Sequence, residues 1–555
     1  MDSKDPDVPG SRLPGLRRRF VPWDRSARPR VGAGRAQVTM TTQRRSSMWS
    51  RREEASPSHI PYPFPALDPS LIPDFSRVPF LAQSLSPAPP PSLVSEDGKK
   101  WGHLESTRPY RADTEQWDPR NWLKAGGCTG TGTFRCAKPS IPSLQENYCN
   151  LCLEKVQRIN PFIVCILQEV DEECKKGLNK EITLTIAGNN RLIPVEKITS
   201  EDFWILSKIL KKNPYINGLD VRYNLLNNTG AYYAAKLLEK QLNLIYLNLM
   251  FNDIGPDGGE VIATALHNNT VLRYLRMSGN KIENKGGMFF AAMLQINSSL
   301  EKLDLGDCDL GMQSVIAFAT VLTQNQAIKG INLNRPILYG EQEESTVHMG
   351  QMLRQNNCLI ELHMCKHDMK NFGLKQLCDA LYLNSKLRYL DISCNRITYD
   401  GIVFLASVLK SNTTLEVLDI SFNRIENPGA KYLGETLASH NRSLKALSVV
   451  SNNIEGEGLT ALAQSMKTNV TLSHLYIWGN KFDEATCVEY SKLIELGRLK
   501  PDNTDIEPYV VDGHVYLAEV SNGLKKHYYW TPTYGEAYNH SSNAGFALVP
   551  TAQHL

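Results

Sequence analysis

Leu415-Glu416-Val417-Leu418-Asp419-Ile420-Ser421-Phe422-Asn423-Arg424-Ile425 decides the fold of this 555-residue chain. It reads LxxLxLxxNxL, with aliphatic residues accepted at the leucine positions. The same pattern, degraded in places, begins at Ile216, Leu244, Leu272, Leu300, Ile328, Leu359, Leu387, Leu444 and Leu472. The step between starts is 28 residues, except for 31 from Ile328 to Leu359 and 29 from Leu415 to Leu444. Chance does not hold such a register across ten units, so the period defines the architecture.

The LxL part of each unit alternates with period two and predicts a short strand. Fourteen residues after most starts comes a glycine: Gly230, Gly258, Gly286, Gly373, Gly401, Gly429 or Gly458. Apolar pairs follow, such as Phe404-Leu405 with Val408-Leu409, or Phe289-Phe290 with Met293-Leu294. That spacing keeps all four side chains on one face of a helix. One strand–turn–helix unit cannot bury its apolar face alone, so neighbours must stack. Strands then repeat at ~4.8 Å, whereas helices need ~10 Å. The predicted fold is an α/β solenoid, a horseshoe with parallel strands on the concave face and helices on the convex face.

The asparagines at the ninth position are Asn224, Asn252, Asn280, Asn395, Asn423, Asn452 and Asn480. They are expected to be structural, satisfying backbone groups where the chain leaves the strand; each group left unpaired would cost ~1–3 kcal/mol. Cys308 and Pro336 occupy that position in two units, and the second carries the insertion Gly340-Glu341-Gln342-Glu343-Glu344. A tolerated loop is the plainer reading of that insertion, and an acidic protrusion toward a partner the sharper one.

Outside the repeats the composition changes. Residues 1–141 are rich in proline, serine and arginine, a composition expected to stay disordered. Residues 12–52 hold twelve arginines and one acid, a local +11 in a chain of net charge +3, which leaves the remainder at −8. Residues 142–180 predict a helical N-terminal cap, with Leu151, Val156, Ile159, Phe162, Ile163, Ile166 and Leu167 as its apolar face. Residues 181–497 hold one degenerate unit, with Leu184, Ile186 and Asn189 in the strand and turn positions, followed by the ten regular ones. Residues 498–555 predict a hairpin turning at Asp512-Gly513 and an aromatic run, Tyr528-Tyr529-Trp530, together read as a C-terminal cap.

No stretch reaches the ~18 apolar residues of a membrane span. The acidic start, Met1 to Asp7, lacks a following apolar region and does not read as a secretory signal. Scattered cysteines fit reduced thiols, so the sequons at Asn297 and Asn412 are expected to stay unmodified. The expected compartments are nucleus, including nucleolus, and cytoplasm. Cys149 and Cys152 form a CxxC with Cys128 and Cys136 upstream. Their setting favours cap thiols over zinc, and neither a metal nor a cofactor is expected.

The 28-residue unit with a full outer helix resembles the ribonuclease-inhibitor-like class of leucine-rich repeats. Asn189-Asn190-Arg191-Leu192-Ile193-Pro194, Leu249-Met250-Phe251-Asn252-Asp253-Ile254-Gly255 and Lys525-Lys526-His527-Tyr528-Tyr529-Trp530 resemble one narrower family within it, over roughly residues 143 to 555. The resemblance implies an intracellular protein that binds proteins and is not an enzyme. Low cysteine density departs from ribonuclease inhibitor itself and argues against ribonuclease as the target.

Side chains between the strand leucines point into the concavity. A partner-binding surface is therefore expected there, from Tyr246, Asn248, Met250, Phe251, Tyr274, Arg276, Asp304, His363, Tyr389, Asp391, Asp419, Phe422, Tyr476 and Trp478. Exposed aromatic and arginine side chains dominate many interfaces, which puts Tyr246, Met250, Phe251 and Tyr274 first and Tyr476 with Trp478 second. Asp304, Asp391 and Asp419 suggest a basic protein partner. His363 near Cys365 lacks a third member for thiol catalysis. Two other readings compete with the scaffold. One is a GTPase-activating or other regulatory binding protein of the same repeat class. The other is an RNA-associated nuclear protein that makes weak nucleic-acid contact through residues 12–52.

Overall fold

The computed structural model describes residues 143–176, 182–211, 213–240, 243–338 and 343–524. The arginine-rich arm, Cys128, Cys136, the insertion residues Gly340 to Gln342 and the run Tyr528-Tyr529-Trp530 lie outside the described residues.

The described chain opens with two helices, α1 (Leu144–Glu154) and α2 (Pro161–Lys176). Ser143 caps α1 reciprocally: its hydroxyl accepts from the Glu146 amide, while the Glu146 carboxylate accepts from the Ser143 amide. Asp171 of α2 accepts from the Leu144 and Gln145 amides, both at 2.9 Å, so α2 holds the free N-terminus of α1. Tyr148 and Cys152 are buried between them and the first repeat.

Strands and helices then alternate: β1 (Ile182–Thr185), α3 (Ser200–Leu210), β2 (Ile216–Asp220), α4 (Asn228–Leu238), β3 (Tyr246–Asn248), α5 (Pro256–His267), β4 (Tyr274–Arg276), α6 (Glu283–Leu294), β5 (Lys302–Asp304), α7 (Met312–Leu322), β6 (Gly330–Asn332), α8 (Glu344–Gln355), β7 (Glu361–His363), α9 (Asn371–Leu381), β8 (Tyr389–Asp391), α10 (Tyr399–Ser411), β9 (Val417–Asp419), α11 (Glu426–Ser439), β10 (Ala446–Ser448), α12 (Gly456–Thr468), β11 (His474–Tyr476) and α13 (Glu484–Glu495). The strands form one sheet in sequence order, parallel throughout the eleven described. Equivalent residues pair, so that Leu247, Leu275, Leu303, Ile331, Leu362, Leu390, Leu418, Leu447 and Leu475 make one continuous buried column. In most units a glycine at the start of the helix sets its separation from the next. At Gly258 a Cβ would sit 2.7 Å from Asn228 Oδ1, closer than side chains tolerate.

The ninth-position asparagines form the expected ladder. Asn252 Nδ2 donates to the carbonyls of Val221, Leu249 and Met250, while its Oδ1 accepts from the Leu226 amide. Cys308 substitutes with a thiol that donates to Met277 O at 3.2 Å. His367 takes the place in the unit after Pro336, bonding Leu333 O through Nε2 at 2.9 Å. Asn189 departs from expectation: it is exposed, and the ladder starts at Asn224, whose Oδ1 accepts from the Ile198 amide.

A second ladder runs at the other end of each strand. Asn269, Asn297, Asn325, Asn356, Asn384, Asn412, Asn441 and Asn469 each stand three residues before a unit start. Asn297 is typical: Nδ2 donates to Leu266 O and Asn269 O, and Oδ1 accepts from the Ser299 and Leu300 amides. Both sequons noted in the sequence, at Asn297 and Asn412, are members of this ladder.

After β11 no further strand of the sheet follows among the described residues. Asp505 stands in for one, its carboxylate accepting from the Ile477 and Trp478 amides at 2.9 Å. The antiparallel hairpin β12 (Ile506–Val511) and β13 (His514–Glu519) packs against α13. It turns at Asp512 and Gly513, both with positive φ, as a two-residue hairpin turn requires.

Candidate functional site

Because side chains alternate along a strand, three rows on each unit face away from the leucine column. The first row contains Tyr246, Tyr274, Lys302, Gly330, Glu361, Tyr389, Val417, Ala446 and His474. The second contains Asn248, Arg276, Asp304, Asn332, His363, Asp391, Asp419, Ser448 and Tyr476. The third follows two residues later and includes Met250 and Trp478. The next residue turns the chain out of the strand in the left-handed region: Tyr223, Phe251, Gly279, Asp307, Arg335, Lys366, Cys394, Phe422, Ser451 and Gly479 all have positive φ.

The expectation that the inward rows stand exposed is corrected. Tyr246, Asn248, Met250, Tyr274, Arg276, Asp304, His363, Tyr389, Asp391, Asp419 and Tyr476 are buried, and Trp478 is partly buried. Rows only ~4.8 Å apart cover one another's flanks, and Arg276 with Asp304 and His363 with Asp391 are locked into pairs. Tyr246 and Tyr274 pack together with Ile245. Phe251 and Phe422 remain accessible, at 37% and 55%. Phe251 stacks on Tyr223 with ring centroids 4.5 Å apart. The first expected hot spot thus divides: its two tyrosines and Met250 are buried, and its phenylalanine lines the strand-exit rim.

The expected acidic patch is likewise corrected. Arg276 Nε meets Asp304 Oδ2 at 3.0 Å, and Ser278 and Asn332 also donate to Asp304. Asp391 accepts from Ser393 at 2.6 Å and faces His363 Nδ1 at 3.2 Å. Asp419 accepts from Ser421 at 2.6 Å. Two of the three carboxylates already face a cation, which removes most of the charge that would draw a basic partner.

His363 bonds Glu361 through Nε2 at 2.5 Å and Asp391 through Nδ1. Burial works against a charged imidazole, yet the two carboxylates outweigh it and raise its pKa to about 9. With both nitrogens held as donors, the ring cannot act as a base toward Cys365. The thiol itself is pushed upward, first by its hydrogen bond with Cys394 and then by burial. This pair supports no nucleophilic chemistry.

Sequence reasoning missed Lys302 and Glu361, whose side chains meet at 2.7 Å in the first row. It also missed two triplets along the strand-entry edge. Glu301 lies between Arg273 at 3.0 Å and Lys329 at 2.8 Å; Glu416 lies between Arg388 and Lys445, the latter at 3.0 Å. The signal was in the sequence: the residue after successive unit starts reads Arg, Glu, Lys twice.

Among the described residues no cluster of His, Cys, Asp and Glu has metal-site geometry, and no helix is long and apolar enough to cross a membrane. Cys149 and Cys152 lie on α1, the second buried beside Tyr148, with burial raising both thiols.

A leucine rich repeat family model matches residues 240–263, 268–291, 297–319, 383–406, 411–434 and 440–463. The chain is 81% identical over 410 residues to leucine-rich repeat-containing protein 34 of Homo sapiens, covering 74% of this chain and 88% of that one. Identity to the protein of the same name from Mus musculus is 74% over 415 residues, 75% of this chain and all of the relative. The Rattus norvegicus relative is 76% identical over the same length and shares. Among solved structures, the complex of Rad7 and Elc1 in yeast aligns at 16% identity, with 67% of this chain and 91% of that one covered and a TM-score of 0.41. An internalin from Listeria monocytogenes aligns at 15% identity over 66% of this chain and 95% of that one, with a TM-score of 0.30.

Proposed function

The chain belongs to the leucine-rich repeat-containing protein 34 family, and on that premise we propose that it is a non-catalytic, intracellular protein-interaction scaffold. Its partner is gripped along the strand-exit rim of the concave face. The observation that carries the rim is the accessibility of Phe251 and Phe422 beside inward rows that are buried. Aromatic side chains held rigidly at a left-handed turn offer contact area without much ordering cost. The repeat architecture supports a protein partner. The nine described cysteines, all free thiols, support a reducing compartment such as nucleus or cytoplasm.

The test is proximity crosslinking and affinity capture from cells, comparing the wild type with a Phe251→Ser/Phe422→Ser double variant. Both side chains are accessible, so the variant should fold. Loss of a defined subset of crosslinked proteins is expected. An unchanged partner set would overturn the rim as the contact surface.

A further inference from the structure

We infer that the strand-exit rim takes an acidic, extended segment of the partner, seated between β6 and β9 on Lys366 and Arg424 with Phe422 as its apolar anchor. A partner on this rim is the premise proposed above; what is added is the chemistry of the segment that meets it. Two outward rows form the rim, one at the left-handed residue of each unit and one two residues later. Over β3 to β5 these rows carry Asp253, Asp307 and Asp309 against Lys281, a net −2. Over β6 to β9 they carry Arg335, Lys366, Arg396 and Arg424 against Asp368, a net +3. The rim is therefore polarised, and it is basic where Phe422 stands. The partner sign that follows is opposite to the one expected from the strand rows.

The four cations are not equally committed. Arg335 is held by Asp307 at 2.5 Å and Arg396 by Asp368 at 2.8 Å. Among the described residues no carboxylate comes within ion-pair distance of Lys366 or Arg424, and Lys366 acts on Asp307 only through space. Glu426 follows Arg424 closely in sequence but opens α11, beyond the buried Ile425. Lys366 and Arg424 are both exposed. Left-handed backbone at Lys366 (φ 59°) and Phe422 (φ 56°) carries both side chains out of the concave rows.

Spacing and sign choose the occupant. Lys366 stands at the exit of β7 and Arg424 at the exit of β9, two strand steps or about 10 Å apart. In a polyproline II segment, residues three apart share a face and lie about 9 Å from one another. Two carboxylates at that interval reach both cations, and a neighbouring apolar side chain falls on Phe422, 55% accessible. A polynucleotide fits less well. Its regular phosphates would meet Asp307 and Asp368, whose side chains stay at the surface beside their cations. One accessible phenylalanine is also no platform for successive bases. A peptide can leave those places to neutral residues.

Zero-length carbodiimide crosslinking to the full chain, mapped by mass spectrometry, tests this with a defined probe: a proline-rich peptide bearing glutamate at every third position and one leucine. The expected product is an amide between a peptide glutamate and Lys366, formed several-fold more than at Lys281 or Lys481 and suppressed by salt. Residues 12–52 contain no lysine, so the arginine-rich arm gives no such adduct. Arg424→Glu and Phe422→Ser should each lower the adduct several-fold while Lys366 is still present to react. Lys481→Glu, at an exposed lysine paired with Glu455, should leave it unchanged. Equal labelling of Lys281, Lys366 and Lys481, or an adduct untouched by Arg424→Glu, overturns the acidic segment. So does loss of the adduct to an equal concentration of oligouridylate, which would assign the site to nucleic acid. In capture from cells, a partner set lost from Phe251→Ser/Phe422→Ser but kept by Lys366→Glu/Arg424→Glu would leave the rim standing and overturn the acidic segment alone.

Discussion

Lys302 and Glu361 stand two strands apart, yet Nζ and Oε2 meet at 2.7 Å, because the residue between them in the row is Gly330. A Cβ at Gly330 would lie 3.3 Å from Glu361 Oε2 and 3.4 Å from Lys302 Cε, directly under the bridge. Glu361 also holds His363, which reaches Asp391, so one omitted side chain lets four charges connect across β5 to β8.

Gly330→Val should therefore break the bridge and leave two buried charges apart. The expected loss is roughly 3–5 kcal/mol, as for removing one partner of a buried ion pair. Gly330→Ala should cost far less, since flexible side-chain ends can yield a few tenths of an ångström. Urea unfolding of the two variants checks this; equal midpoints would show that the bridge tolerates a branched side chain beneath it.

The same network sets a pH dependence. His363 titrates at about 9 in the folded protein and near 6.5 when unfolded. Its contribution is complete below about 6.5 and lost as pH rises toward 9. His367, buried and pulled down to about 4, acts oppositely: between pH 6.5 and 4 the unfolded chain binds the extra proton, so stability falls on acidification. Lys302, lowered to about 8 chiefly by burial, adds stability as pH rises above 8. Stability should peak near pH 6.5 and decline on both sides. Urea midpoints at pH 5, 6.5 and 8 measure it, and His363→Gln should flatten the decline toward pH 8. A midpoint still rising from pH 6.5 to 8 in the wild type would contradict the assignment.

The two asparagine ladders differ in how readable they were. The ninth-position ladder sits inside the hydrophobic pattern, so the repeat alignment exposes it and the loss of strand partners explains it. The second ladder begins three residues before each leucine, where the sequence looks like an ordinary polar loop, and only the structure shows helix-end carbonyls needing donors. Asn297→Ala removes two donated and three accepted bonds and should cost about 1–3 kcal/mol. Asn189→Ala, at an exposed site, should stay within about 0.5 kcal/mol. Denaturation of both variants separates a ladder asparagine from a look-alike.

Strand alternation gave the direction of every inward side chain, and hence the rows, from sequence alone. Their burial was not legible. It depends on pairing between units 28 or more residues apart, such as Arg276 with Asp304 or Lys302 with Glu361. Phe251 and Phe422 stayed accessible because the chain turns left-handed there and carries them out of the rows. No hydropathy pattern encodes that turn, since Gly279, Asp307 and Lys366 adopt it equally.

Arg222 is the poorest-satisfied charge in the described sheet. It is buried, its Nε lies 3.6 Å from Asp220 Oδ2, and neither Nε nor Nη1 has a hydrogen-bond partner. Burial also pushes the Asp220 carboxyl upward, against the pull of Arg222. A pair so placed bears two desolvation costs and recovers only part of them in attraction. Asp220→Asn combined with Arg222→Met keeps the volume. The introduced carboxamide oxygen can still accept the bond that the residue 222 amide now donates to Asp220. The double variant should unfold at equal or higher urea concentration than the wild type, with a gain of up to a few kcal/mol, roughly 1–4 in comparable replacements. Asp220→Ala alone should be destabilised, because it strands the guanidinium. A double variant less stable than that single one would show the pair to be a net stabiliser of the first repeats.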